Sequence, residues 1–542
     1  MSSGLDHANP ADALAAALVR AGADTVFGMP GGGPNLDVIG AVERAGLRFV
    51  LAHGETAACI MAGTYGLLTG RPAMALATRG PGAASAVNGV VQATLDRFPL
   101  LLVTDCVPGA DRQHVGHQRI DQRALMAPIT KGSGRLGGGA GDPEAIAGAA
   151  LALAAASPRG AVHLDYDVGA SCIPVTAATA DGAASTSVCS TLGDPGVASA
   201  TALVRDARRP VAVVGLGALD EAAAVRAALE RLGCPVLTTY QAAGVLPEGH
   251  RQLAGLYTNG VIESAVLDDA DVVLAVGLDP VEPMPGRWRY DSPVVSIAAV
   301  APDATFVPAT VSLVGAIDEL LDAVIATTGA GATVWSPDAG AQALAAARAV
   351  LRAAATSRGF GPLELVDAVI AVAPGDVIAT VDAGAHFLAV MPFWPVTAPL
   401  RLLISNGAAT MGFAVPAAIG ASLAHPGVPV VCFVGDGGLA MTMGELETIA
   451  RLALPITVVV FDDAALSLIE VKQREGQGGA GAVRFSAIDL AGVGAAMGLE
   501  SMAATSAAEV ERQLRVGWDR PRLLDARIDP GTYRPLIAAT RG

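Results

Sequence analysis

Apolar runs of strand length that hand over repeatedly to helical patterns confine this chain to a layered α/β architecture. The clearest handover is the run Val428 to Val434. It leads through Gly435-Asp436-Gly437-Gly438 into Leu439 to Leu452, a stretch of helical periodicity that carries Glu445 and Glu447. Main-chain N–H groups at such a helix start point outward, and the helix dipole favours an anion there. A second apolar run, Pro455 to Phe461, ends in Asp462-Asp463, so Asp436 and Asp463 stand 27 positions apart at the carboxyl edge of neighbouring strands. A Gly-Asp-Gly turn alone is usually only a turn, but the second acidic end supplies another hard oxygen ligand. The pair suits a magnesium ion bridged to a diphosphate.

Three blocks separate along the chain. The first carries strand-like runs at Thr25 to Gly28, Arg48 to Ala52, Ala73 to Thr78, Leu100 to Thr104 and Val162 to Asp165. It ends in a Thr/Ala/Ser-rich stretch, Pro174 to Pro195, that reads as a linker. The second starts at Pro210 and carries Val236 to Thr239, Val272 to Val276 and Val294 to Ile297; its linker runs from about Thr327 to Gly340. The third holds Val377 to Val381, Leu402 to Ile404, Val428 to Val434, Ile456 to Phe461 and Leu523 to Ile528. The expectation is three doubly wound parallel-sheet domains over residues 1–173, 190–326 and 341–542. Gly215-Leu-Gly217 lacks the rest of a dinucleotide fingerprint and reads as a structural turn; Gly137-Gly-Gly-Ala-Gly141 reads as a loop.

The 542 residues are enough for three cores. A net charge of −16 without long charged blocks argues against nucleic-acid binding. The mean hydropathy of +0.49 comes from Ala, Val, Leu and Gly spread throughout, and no uncharged run reaches the length of about 18 residues that a membrane helix needs. The segment Met1-Ser-Ser-Gly-Leu-Asp-His has no basic or apolar export pattern, which predicts a cytoplasmic protein. Six cysteines (Cys59, Cys106, Cys172, Cys189, Cys234, Cys432) without CxxC spacing read as free, buried thiols.

The pairing of Gly435-Asp436-Gly437 with Asp462-Asp463 resembles the signature of thiamine diphosphate enzymes, in which a neutral Asn-Asn pair or close variant usually stands about 25–30 residues after the first motif. The resemblance implies that Asp436, Asp463 and the carbonyl of Ala465 hold Mg²⁺, with a formal extra negative charge at Asp463. It continues across the chain. Phe49 to Ala58, with His53-Gly54-Glu55, then Thr78 to Ala83 and Asp96 to Asp105, resemble the pyrimidine-binding domain of the acetolactate synthase branch. Glu55 matches the glutamate that contacts the aminopyrimidine. A buried carboxyl there can protonate the ring nitrogen, so that the resulting imine takes the thiazolium C2 proton. Thr380 to His386 resembles the turn that touches the diphosphate, which implicates Gly384, Ala385 and His386 beside Gly435, Gly437 and Gly438. Asn406 to Pro416 resembles the segment that supports the bent cofactor, with Met411 beneath the two rings and the Ala409 carbonyl facing the exocyclic amine. Leu468 completes the cofactor-binding set.

Within that family, glycines after Pro30-Gly31 and the non-adjacent His114 and His117 lean toward carboligases; Gln118 matches a glutamine facing the thiazolium, and His114 and His117 are further catalytic candidates. The resemblance implies a thiamine diphosphate- and Mg²⁺-dependent C–C lyase or carboligase acting on a small 2-oxo acid through a decarboxylated enamine, with an aldehyde or oxo acid as acceptor. A simple 2-oxo acid decarboxylase and a catalytically silent homologue are the alternatives. Acetolactate synthases place an Arg in the middle domain and a Trp in the helix after the metal motif at the second-substrate site. Here Val281 and Lys472 stand in the corresponding stretches. The acceptor is therefore expected to differ or to bind differently, and FAD is not expected to be required. The family's cofactor lies between subunits, which implies a homodimer or homotetramer.

Overall fold

The computed structural model describes residues 9–109, 111, 113–177, 189–301, 307–326, 333–356, 359–476 and 481–542. It contains three separate sheets of seven, six and six strands. Residues 1–8, where the sequence shows no export pattern, and the central parts of both linkers, 178–188 and 327–332, lie outside the described residues.

The first sheet runs 2-1-3-4-6-5-7 in chain order and the third runs 2-1-3-4-6-5. The two outer domains therefore repeat one topology that has no visible counterpart in their sequences. The middle sheet has the order 3-2-1-4-5-6. Among the described residues, every strand pairing within the sheets is parallel except one, between Gly132–Gly137 and Ile173–Ala177. That antiparallel edge corrects the reading of Pro174 as the start of a linker: the first sheet continues to Ala177. A half-exposed edge strand needs few large apolar residues, so its composition resembles a linker.

Parallel strands covered on both faces demand continuous apolar runs. The buried strands Ala73–Ala77, Val272–Val276 and Ile456–Asp462 meet that demand. The outer domains are fused through small residues. Helix Ala414–Ala424 of the third domain packs on helix Glu55–Thr69 of the first, and its apolar residues are buried around its circumference. A Cβ on Gly420 would stand 2.6 Å from the Met61 carbonyl oxygen, so glycine sets the approach of the two helices. Arg97 joins the first domain to the middle one through a two-pronged contact with Asp279, at 2.9 and 3.0 Å.

The cysteines form no disulfide among the described residues. Cys59, Cys106, Cys234 and Cys432 are buried as expected, whereas Cys172 is half-buried and Cys189 exposed. No helix among the described residues is long and apolar enough to cross a membrane.

Candidate active site

In the third sheet, the strands Ile378–Val381 and Val430–Gly435 are neighbours although a further strand lies between them in sequence, which makes their carboxyl ends a topological switch point. A cavity of about 670 Å³ opens there. Gly384, Ala385, His386, Ala409, Met411, Gly435, Asp436, Gly437, Gly438, Asp463, Ala465 and Leu468 all line it. Segments scattered over some 85 positions are thus brought to one wall by sheet order.

Gly435 pairs with Phe461 across the parallel ladder, which brings Asp436 beside the end of the next strand. One Asp436 oxygen accepts the main-chain N–H groups of Asp463 and Ala464 at 3.1 and 2.6 Å; the other accepts that of Gly437 at 2.6 Å. Asp463 accepts the Ala465 N–H at 3.2 Å and the Ser467 hydroxyl at 2.6 Å. Burial, then the charge of Asp463, pushes Asp436 up to about 7; burial pushes Asp463 up to about 6. Two such carboxylates fit a divalent cation, which would relieve both the desolvation and the repulsion. Among the described residues no cluster of three or more His, Cys, Asp or Glu could hold a metal, so the remaining ligands would come from carbonyl, phosphate or water oxygens.

The glycines here have specific reasons. A Cβ at Gly437 would come within 2.8 Å of Leu466, and one at Gly438 within 3.1 Å of the Asp382 carboxylate. Asp382, at the end of Ile378–Val381, is fully buried and accepts the N–H of Gly412 at 2.9 and 3.0 Å and that of Ala414 at 3.4 Å. It fastens the loop carrying Met411, while Ala409 adopts the left-handed region at φ 49°. Burial pushes Asp382 up to about 7 and holds His386 down near 4. The His386 ring stacks on Phe461 at 5.1 Å, and its buried Nε2 has no partner, a polar atom left for a ligand to satisfy.

Glu55 is placed differently. It begins helix Glu55–Thr69 and is half-buried, and a Cβ on Gly82 would lie 3.1 Å from its Oε1. It does not line the cavity that holds Asp436. Gln118, at φ 56°, lines another cavity on the first domain, and His114 and His117 are exposed and line neither. One chain thus assembles the third-domain residues but leaves the four catalytic candidates apart from them.

Sequence reasoning missed Asp382, Ser467 and Gln122, which act by hydrogen bonds to loops. Gln122 accepts the Gly80 N–H at 3.1 Å and donates to Thr104, the Asp105 carbonyl and Asp165. Asp382, directly after an apolar strand, carried a usable signal; the other two carried none.

The middle domain has the strand order of a dinucleotide fold, but its phosphate position is filled from within. The Glu282 carboxylate accepts the Leu216 N–H at 3.0 Å on both oxygens, the Asp279 N–H at 3.1 Å and the Thr239 hydroxyl. A Cβ on Gly215 would meet it at 2.5 Å. These residues do not fit the phosphates of a flavin dinucleotide at this turn. Pro280 to Pro285, the segment around Glu282, instead lines the third-domain cavity.

Three family profiles fall on the three sheets: the thiamine pyrophosphate enzyme N-terminal TPP-binding domain on residues 8–125, the central domain on 197–324 and the C-terminal TPP-binding domain on 382–526. Acetolactate synthase of Bacillus subtilis is 31% identical over 530 residues, covering 94% of this chain and 92% of that one. Acetolactate synthase isozyme 1 large subunit of Escherichia coli is 28% identical, with the same coverage of 94% and 92%. The "probable 2-ketoarginine decarboxylase" of Pseudomonas aeruginosa is 30% identical over 84% of this chain and 82% of its own length. Profiles in the order of the sheets, relatives matched nearly end to end, and a glycine-lined anion cradle at the third switch point agree: the chain belongs to the thiamine pyrophosphate enzymes, as an acetolactate synthase-like member.

Proposed function

We propose that the protein is a thiamine diphosphate- and Mg²⁺-dependent lyase or carboligase that decarboxylates a small 2-oxo acid and passes the remaining acyl unit to an aldehyde, an oxo acid or a proton. The observation that carries this reading is the convergence of both glycine turns, the Asp436–Asp463 pair and Met411 on one cavity of about 670 Å³. When bound, thiamine diphosphate supplies a nucleophilic carbon and an electron sink. In this assignment Asp436, Asp463 and the Ala465 carbonyl hold Mg²⁺. Main-chain groups at Gly384, Ala385, His386, Gly435, Gly437 and Gly438 receive the diphosphate, with Leu468 against it. Met411 and the Ala409 carbonyl support the ring pair.

Glu55 would come from a second copy of the chain, since it stands outside its own chain's cavity; Gln118, His117 and His114 would face the site from that same copy. The active form is then at least a homodimer, a homotetramer being a dimer of such pairs, in the cytoplasm. Glu282 in the phosphate position of the middle domain supports activity without FAD.

A simple decarboxylase is the second reading, favoured by the likeness to the 2-ketoarginine decarboxylase. A guanidinium substrate of that kind meets two cations here, because Lys472 and Arg541 line the cavity. The test is to supply the protein with thiamine diphosphate, Mg²⁺ and 2-oxo acids, with and without aldehydes, and to follow CO₂ and products by mass spectrometry. A coupled product supports the carboligase, free aldehyde alone the decarboxylase. No CO₂ from any acid would leave only a cofactor-binding homologue.

A further inference from the structure

Two helices start beside the acidic pair. Ser467, the first residue of helix Ser467–Gly476, holds Asp463 through its hydroxyl. Tyr533, the first residue of helix Tyr533–Arg541, is close enough to Asp463 and Asp436 for both charges to raise its phenol. Each helix carries a cation into the same cavity further along. Lys472 lies roughly 7.5 Å beyond Ser467 and Arg541 roughly 12 Å beyond Tyr533 along their axes, at about 1.5 Å per residue.

Neither cation is spent on the protein. Among the described residues, Lys472 and Arg541 have no carboxylate partner. Arg541 packs its guanidinium 6.0 Å above Phe387, whose edge meets Tyr240, and its buried Nε finds no acceptor. The carboxylates that do line the cavity are engaged elsewhere: Asp436 and Asp463 hold main-chain N–H groups and the Ser467 hydroxyl, and Glu282 is locked onto Leu216, Asp279 and Thr239. The lining also includes the apolar side chains of Val281, Met284, Ile404 and Leu466. Two cations without carboxylate partners, Arg541 half-buried and Lys472 exposed at the rim, favour an anion over such a lining.

The carboxylate to be lost as CO₂ is a poor candidate for that anion, because pairing it would stabilise the ground state and slow its departure. Building on the 2-oxo acid reading above, we propose that Lys472 and Arg541 clamp a carboxylate that survives the reaction. It is either the distal group of a 2-oxo dicarboxylate donor or the acid group of an acceptor. Both present the same chemistry to the clamp.

Calorimetric titration of the cofactor- and Mg²⁺-loaded protein with valerate and with its uncharged amide, valeramide, separates binding from turnover. The wild type binds valerate at least about tenfold more tightly, and Lys472→Met or Arg541→Gln removes that preference while thiamine diphosphate affinity is unchanged; Lys472→Arg retains it. Equal affinity for the acid and the amide in the wild type overturns the clamp. So do variants that weaken thiamine diphosphate but not valerate, which would assign the cations to the diphosphate. CO₂ release from 2-oxoglutarate against 2-oxovalerate then identifies a donor carboxylate, and coupling of pyruvate to an oxo acid against an aldehyde identifies an acceptor one. Valerate selectivity with no CO₂ from any 2-oxo acid would sink the catalytic reading and leave the clamp standing.

Discussion

Asp436 and Asp463 show how strongly a cluster of like charges depends on what it binds. Each is mostly buried, each is raised by that burial, and Asp463 raises Asp436 further. Asp436→Ala removes one ligand and the anchor of the Ala464 N–H. We expect Mg²⁺-dependent thiamine diphosphate affinity to fall by about two orders of magnitude or more, since even outer ligands of metal sites are worth about 10–100-fold. Calorimetry showing undiminished binding would refute the assignment. Asp96 illustrates a different burden. It is 2% exposed, accepts Ser405 and Gly407 at 2.6 Å each, and thereby pins the first domain to the third. Burial pushes it up to about 6 from 3.8. The folded state therefore holds this proton where the unfolded chain has lost it, and the group's contribution to stability falls as pH rises from about 4 to about 6. Urea midpoints of wild type and Asp96→Asn, compared at pH 4.5 and 7, should show a wild-type advantage that is larger at pH 4.5. A difference that grows with pH would contradict it. Asp436, Asp463 and Glu55 were legible because each directly follows an apolar strand or begins a helix. Asp382 carried the same signal, but its partner loop lies 30 positions on; Ser467 reaches Asp463 four positions back from a stretch with no motif of its own, and Glu282 meets Leu216 only after the middle sheet has closed.

Elements were legible where burial is two-sided and blurred where an element serves another domain. The periodic stretch Leu439 to Leu452 reads as one helix, but the structure has Asp436–Thr442 and Glu445–Arg451 with a break at Met443-Gly444. The break admits the first domain's turn before Glu55. A Cβ on Gly444 would stand 3.0 Å from that of His53, the His53 N–H donates to Glu445 at 2.8 Å, and the His53 ring pairs with Glu447 at 2.8 Å. Periodicity within one segment carries no information about a neighbour nearly 400 residues away. The same holds for the crossing of Ala414–Ala424 on Glu55–Thr69. Gly420→Ala gives a Cβ no room against the Met61 carbonyl and should destabilise the fold by about 1–3 kcal/mol, the usual range for overpacking. Denaturant unfolding measures this directly, and an unchanged midpoint would mean the helices can part without loss.

At the scale of the molecule, two outer sheets share one strand order, and the proposed site draws on both of them. The third sheet gathers its candidates around Asp436, while Glu55 remains on the first domain outside that cavity. Sequence motifs point to both proposed halves, yet motifs hold no information about which chain supplies which half. That depends on surfaces formed only after folding. Glu55→Gln should bind thiamine diphosphate but lose proton–deuterium exchange at its C2, and unchanged exchange would rule out Glu55 as the activator. The most direct measurement is complementation. Co-expression of Glu55→Gln and Asp436→Ala chains carrying different tags, followed by isolation of the doubly tagged species, gives dimers in which one of two sites combines intact halves. Each homodimer should be inactive, and the mixed dimer should recover about half the wild-type turnover, as two-fold symmetry requires. Mixed dimers as inactive as their parents would contradict a thiamine diphosphate site shared between Glu55 of one chain and Asp436 of another.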